Sequence, residues 1–333
     1  MLSDLYGNYN GTRNERYSRE TASETSAYSI ERFDDMRIGI IGAGRVGVTM
    51  GKYLGDAGVE VSGFYSKTTQ SAVQAAEFTD TTVYKSLQDI VEASDTLMIT
   101  TPDGVISEVW DCIAGYELTG KILCHCSGSL SSNVFSGIEQ TGAVGCSIHP
   151  MYAFSDRFTS YQNFSTAYLV AEGMPAAYEP LAQMFRELGH TVLYLRAENK
   201  VKYHAAAAMV SNDMIALFQT VLDLLEQCGF AREDSVGLLR PLVMGNVSNM
   251  LDKGPVAALT GPVDRGDTET VHKHLDALAD SEAGEVYRVL GKVLVKIAEQ
   301  KYKGRDDTAM RQLFELSDRN PTEEQRISGK DET

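Results

Sequence analysis

"RIGIIGAGRVGVTMGKYLGDAG", residues 37–58, begins as an apolar run, breaks at a glycine loop and continues as a helix-forming stretch. The loop sets Gly42, Gly44 and Gly47 in a G-x-G-x-x-G spacing, with Ala43, Arg45 and Val46 between them. That spacing alone is weak. A strand before it, a helix after it and a second apolar run, "VEVSGFY" at 59–65, make it specific. Gly42 permits the tight turn, Gly44 lets backbone amides approach a pyrophosphate, and Gly47 allows close helix–strand packing. Free N–H groups and the dipole at the helix start favour an anion there. The plainer alternative is a tight strand–helix turn and nothing more.

The end of the second run decides which dinucleotide is expected. An NAD site carries Asp or Glu about 20 residues after the glycines, bonded to the ribose 2′-hydroxyl. Here that place holds Tyr65, Ser66 and Lys67, and Glu60 lies too early, inside the strand. A hydroxyl and a cation suit a 2′-phosphate, so NADP is the expected cofactor, with Ser66 and Lys67 at the phosphate and Arg45 as a second cation. The competing reading makes Ser66 and Lys67 solvated loop residues.

Around this motif the chain organises itself in two parts. Its 333 residues suffice for two domains, and 43% hydrophobic with 23% charged residues is a normal globular composition. From 36 to 197 short apolar runs alternate with helical stretches: "RIGII", "VEVSGFY", "TLMITT", "KILCHC", "AVGCSI", "AYLVA" and "TVLYL". That alternation predicts a Rossmann-type α/β domain with a parallel sheet. From 198 to 316 strands vanish and an all-α domain is expected, opened by one long, largely buried helix over 200–230. Residues 1–35 and 317–333 are polar and read as a disordered arm and tail. The net charge of −16 argues against nucleic acid or an anionic membrane as partner. No apolar run reads as long enough to span a bilayer, and the arm lacks a signal-peptide core. Five cysteines without framework spacing suggest reduced thiols and a cytoplasmic setting. "CHC" at Cys124, His125 and Cys126 is not expected to hold a metal, because alternate strand residues face opposite ways.

In such a sheet, ligands bind at the carboxyl ends of the strands. "TTPD" supplies Thr101 and Pro102 beside the cofactor, with Asp103 next to them; "HCSGSLSS" supplies Ser127, Gly128 and Ser129; "CSIHPM" ends its strand at His149-Pro150. His149 then lies on the cofactor rim, and Pro150 stiffens the chain where the imidazole must be aimed. His149 is the expected acid/base and Ser127 its neighbour at a substrate carbonyl, with Ser129 beside them for substrate binding. The alternative is a core histidine satisfied by backbone.

The helical part adds His204 and, two turns on, Ser211 and Asn212, polar residues in an apolar helix that need partners. The alanines at 205–208 are best explained by close helix packing. In "LTGPVDRGD", 259–267, Arg265 is placed to take a substrate carboxylate as a fork, or to pair with Asp264 or Asp267 and fasten the loop.

"IGIIGAGRVG", "HCSGSLSS", "HPMYAF", "YHAAAAMVSN" and "LTGPVDRGD" together resemble a bacterial family with a Rossmann-like NADP-binding domain followed by a helical domain of unknown function. More broadly, the chain is similar to the 6-phosphogluconate dehydrogenase-like superfamily. That group includes 3-hydroxyisobutyrate dehydrogenase, ketopantoate reductase, pyrroline-5-carboxylate reductase and prephenate dehydrogenase. The resemblance implies a 6-phosphogluconate dehydrogenase C-terminal-like helical domain, through which a homodimer is expected. It implies the roles that prephenate dehydrogenases give a serine and a His-Pro histidine, which fall on Ser127 and His149. The catalytic lysine of the β-hydroxyacid dehydrogenases falls instead on Met209; Lys200 and Lys202 lie upstream and are expected to face elsewhere. The proton would then come from His149 or His204, with Asn212 positioning substrate. The expectation is an NADP-dependent oxidoreductase acting on a small anionic carbonyl or imine compound, ketopantoate-like. The alternative is a non-catalytic NADP-binding redox sensor.

Overall fold

The computed structural model describes residues 36–315; the arm and tail expected at 1–35 and 317–333 lie outside the described residues. The chain separates into two units, one ending at Ala207 and the other beginning at Ala208. The division thus falls inside the long helix, later than the change of pattern read from sequence.

The first unit holds strands β1 (Ile38–Ile41), β2 (Val61–Tyr65), β3 (Thr82–Val83), β4 (Thr96–Ile99), β5 (Ile122–His125), β6 (Val144–Met151), β7 (Tyr168–Gly173) and β8 (Val192–Tyr194). Helices α1 (Arg45–Asp56), α2 (Thr69–Thr79), α3 (Leu87–Glu92), α4 (Asp103–Ile113) and α5 (Pro175–Glu187) connect them. The strand order is β3-β2-β1-β4-β5-β6-β7-β8. β1 is central, with Ile40 opposite Phe64 of β2 on one side and Met98 of β4 on the other. Successive residues of one strand feed opposite faces. Ile38 and Ile40 pack with Val48 and Leu54 of α1, whereas Ile41 packs with Ile106 and Trp110 of α4. Both faces are buried, which is why these strands read as unbroken apolar runs.

β1 to β6 are parallel, as expected, but β7 returns antiparallel to β6 and β8 runs parallel to β7. The sheet is therefore mostly parallel with a reversed edge. This also corrects the expected end of β6. The β5 ladder stops at Ser147, but pairing with β7 carries β6 through His149 and Pro150 to Met151. Pro150, which lacks an N–H, sits where β6 is paired on one side only, the setting a strand proline tolerates.

Helix α6 (Lys200–Ala208) closes the first unit. A π-helical turn at Met209–Asp213 follows, then α7 (Met214–Gln227), α8 (Arg232–Ala258, broken at Gly254), α9 (Pro262–Arg265), α10 (Thr268–Ala277), α11 (Glu282–Lys301) and α12 (Thr308–Glu315). The core of the second unit is small: Val263, Val271, Leu275, Val295, Ala298, Met310 and Phe314. An apolar cavity of about 190 Å³ lies beside it, lined by Leu217, Leu224, Val286, Leu290 and Phe314. The long helix is not largely buried as expected, since Leu222 is the only buried residue of α7. By length and composition the run Ala197–Gln227 is also apolar enough to cross a bilayer, against the sequence reading. The first difference has a structural cause: the apolar face of this helix is left uncovered in the single chain.

Candidate functional site

The glycine loop is shaped by two crowded positions and one open one. Gly42 has φ +115°, and a Cβ there would meet Thr100 and Thr101 backbone at 2.9 Å. A Cβ on Gly47 would lie 2.1 Å from the Gly42 carbonyl oxygen. Around Gly44 nothing lies within 4 Å, so the chain is bare where a phosphate would approach. The loop is tied down from below: Gly42 N–H donates to Tyr65 O at 2.8 Å, and Thr100 Oγ1 donates to Gly42 O at 2.7 Å. Gly44 begins α1 with no side-chain cap, and no acidic residue stands in the first turn. The first N–H groups of that helix are thus left for an anion. Ala43 is buried, Val46 half-buried and Arg45 exposed. Past β2, Ser66 is half-buried and Lys67 exposed. Thr101 Oγ1 is buried without a partner in the β4–α4 turn, and Pro102 caps α4. These residues fit a dinucleotide with a 2′-phosphate: a bare glycine loop, two cations and a hydroxyl, with no carboxylate at the end of β2.

On the same strand-end rim, a polar cluster forms around His149. Its Nδ1 is 2.8 Å from the Tyr203 hydroxyl, and its ring meets that of His204 edge-on, centroids 6.1 Å apart. Gly128 makes room for both histidines: a Cβ there would lie 2.4 Å from His204 Cδ2 and 2.9 Å from His149 Nε2. Burial, helped by the nearby Lys200 charge, lowers the His149 pKa to about 4, so the imidazole is neutral near pH 7. Burial raises the Tyr203 phenol to about 12, so it stays protonated. His149 is therefore not a core histidine bonded only to backbone.

Ser127 plays a different part from the one expected. Its hydroxyl donates to Asp103 Oδ2 at 2.8 Å and accepts from Ser129 N–H at 3.1 Å and Leu130 N–H at 2.9 Å. With its hydrogen already given to a carboxylate, it shapes the turn and has no proton to offer a substrate oxygen in this arrangement. Ser129 Oγ donates to the same Asp103 oxygen at 2.7 Å. Glu172 takes the far end of the segment, accepting from Ser132 N–H at 2.8 Å and Ser132 Oγ at 2.9 Å.

Sequence reasoning missed Lys200 and Tyr203, and it placed Asp103 at the end of the fourth strand without giving it a role. Lys200 does not face elsewhere: it is 1% exposed, and Nζ donates to Ser127 O at 2.6 Å and Ser147 Oγ at 2.7 Å. Lys202 is exposed. Tyr203 adjoins His204 in "YHAAA", which was the available signal; nothing in sequence marks Lys200 as buried. His149, Ser127, Ser129 and His204 thus come together in the first unit. Asn212, Ser211 and Arg265 belong to the second. Ser211 Oγ donates to Asn212 Oδ1 at 2.9 Å within the π turn. Arg265 is exposed, with Nη2 3.9 Å from Asp267 Oδ2, and Asp264 pairs instead with Lys301 at 2.8 Å. The "LTGPVDRGD" segment, expected as a loop, includes the short helix α9 and is fastened by Lys301 and Arg305.

Residues 21–150 match the Rossmann-like domain family, and residues 167–294 match a domain of unknown function, DUF2520. No curated protein matches the chain in sequence. Among solved structures, a protein from Thermotoga maritima is similar at TM-score 0.63 and 22% identity, over 79% of this chain and 99% of that one. An imine reductase from Myxococcus stipitatus in complex with NADP+ is similar at TM-score 0.57 and 16% identity, over 84% and 99%. A reductive aminase from Aspergillus terreus is similar at TM-score 0.56 and 17% identity, over 84% and 99%. At these identities the likeness establishes the fold. The His149 cluster draws on both matched regions: Ser127 and His149 come from the Rossmann-like part, and Lys200, Tyr203 and His204 from the DUF2520 part.

Proposed function

We propose that the protein is an NADP-dependent oxidoreductase that moves a hydride between the nicotinamide and a carbon of a small carboxylate-bearing carbonyl or imine compound. The observation that carries this reading is His149, hydrogen-bonded through Nδ1 to Tyr203 with Nε2 beside Gly128, on the rim where the bare glycine loop also opens. NADPH, when bound, supplies the hydride.

The glycine loop and the start of α1 hold the pyrophosphate, and Arg45, Ser66 and Lys67 hold the 2′-phosphate. His149 donates its Nδ1 hydrogen to the Tyr203 hydroxyl oxygen, which fixes the tautomer with the lone pair on Nε2. That nitrogen faces the substrate oxygen or nitrogen. In the oxidative direction a neutral His149 is ready to accept a proton. In the reductive direction the substrate carboxylate, a nearby negative charge, draws a proton onto the imidazole and supplies the acid. His204 is the second histidine at the same place. The helical unit is the place for a homodimer contact.

The test is His149→Asn. NADPH affinity, read by fluorescence titration, should stay nearly unchanged because the phosphate-binding residues lie elsewhere. Turnover of a carboxylated ketone or imine should fall by roughly 100-fold or more, the usual contribution of a positioned proton donor. NADPH binding without turnover across a panel of 2-keto acids and cyclic imines would favour the sensor reading.

A further inference from the structure

We propose that Lys200 is a positioning residue for His149: its buried ammonium holds the Ser127–Gly128 turn in place and supplies the fixed positive charge beside which the imidazole works. This deepens the oxidoreductase reading and rests on it for the role of His149.

The geometry begins with an unusual burial. Lysine side chains are almost never fully buried unless paired, yet Lys200 is 1% exposed and, among the described residues, makes no ion pair. Its two acceptors are neutral, the Ser127 carbonyl and the Ser147 hydroxyl. The first belongs to the residue before Gly128, the glycine against which both His149 and His204 rest. The second lies two positions before His149 on β6. Ser147 Oγ also donates to the same Ser127 carbonyl at 3.3 Å, so two donors meet at one oxygen. A flexible side chain is thereby spent on locking the floor of the histidine cluster.

Glu172 and Asp103, the carboxylates whose charges act on Lys200, are committed to the same segment. Asp103 takes the Ser127 and Ser129 hydroxyls, and Glu172 takes Ser132. Each end of the turn thus has an anion and its base has a cation. Burial pulls the Lys200 pKa down, while Glu172, Cys124, Cys126 and Asp103 pull it up. Facing His149 are Lys200, Tyr203 and His204 from α6, Asp103 from α4 and His125 from β5. Lys200 is the strongest of the charges that hold its imidazole neutral, after burial itself. A fixed cation at this place also favours a substrate that brings an anion, which fits a carboxylate.

The experiment is an NMR pH titration of the His149 ring, which needs no substrate. In the unsubstituted protein the midpoint should lie near 4; a midpoint at or above the ordinary value of about 6.5 would overturn the proposal. Lys200→Met should move it upward. Lys200→Gln, which keeps a hydrogen-bond donor but loses the charge, should move it the same way and serves if the methionine variant does not fold. A midpoint unmoved in a folded variant would also overturn the proposal. NADPH titration of the same variants is read separately. Unchanged affinity with a shifted midpoint supports the proposal, and NADPH binding without turnover in the unsubstituted protein would count against the oxidoreductase reading alone.

Discussion

Two side chains past the end of β2, Ser66 and Lys67 stand where a carboxylate would accept from a free ribose hydroxyl. Ser66→Asp places a negative charge against the 2′-phosphate, so NADPH affinity should fall and NADH affinity rise in parallel titrations; equal affinities in the unsubstituted protein would contradict the assignment. The buried histidines make a second expectation. His149 and His125 both have pKa values lowered to about 4, chiefly by burial, against about 6.5 in an unfolded chain. Between those values the unfolded chain binds more protons, so stability is full above pH 6.5 and is lost as pH falls toward 4. The loss is on the order of 3 kcal/mol for each histidine. Urea midpoints at pH 7.5 and 4.5 should differ accordingly, and His149→Asn should remove part of that dependence. Of this site, His149, Ser127 and His204 could be read from strand ends and from "YHAAA". The direction of the Ser127 hydroxyl could not, because a serine accepts and donates equally well and only Asp103, 24 residues away in sequence, decides it. Lys200 could not either: a lysine two residues before another lysine reads as solvated surface.

Between strand and helix, the glycine loop offers a pair of substitutions that separate packing from binding. Gly47→Ala puts a methyl 2.1 Å from the Gly42 carbonyl oxygen, so the loop must shift. It should lower the melting temperature and weaken NADPH binding together. Gly44→Ala meets nothing within 4 Å, so melting should stay close to the parent while NADPH affinity falls. A Gly44→Ala protein with parental affinity would place the pyrophosphate elsewhere. This motif was the readable part of the fold, because local spacing alone builds it. Strand direction was less so. β7 and β8 have the same apolar content as their neighbours, and their reversal is set by the connection after β6, which no periodicity reports. β3, two residues long, carries no run to detect. The π turn at Met209–Asp213 is equally silent in the pattern, since its residues continue the helical spacing around it.

For the molecule as a whole, the helical unit leaves large apolar side chains exposed on several helices. α11 carries two apolar stripes. Gly291, Val295 and Ala298 turn into the core, while Val286, Val289, Leu290 and Val293, at i, i+3, i+4 and i+7, lie 36%, 62%, 43% and 49% exposed. α8 is starker: of its 27 residues only Ser235 is buried, and Leu238, Leu242, Met244, Met250 and Leu251 are exposed. Met214 and Ile215 of α7 add to the same excess. Apolar side chains exposed along several helices belong against another surface, and exposed apolar surface of this extent marks an interface. A second copy is the expected occupant, because a net charge of −16 opposes association through charged surface, whereas an apolar face lets two copies meet at lower electrostatic cost. The contact should exceed the roughly 1,200 Å² at which stable interfaces begin. Light scattering at micromolar concentration should give twice the chain mass. Leu242→Glu combined with Leu290→Glu should shift it to the monomer without loss of the α/β unit's circular dichroism, since neither residue lies in that unit. A monomer in the unsubstituted protein would mean that some other partner, a membrane included, covers the long helix and α8.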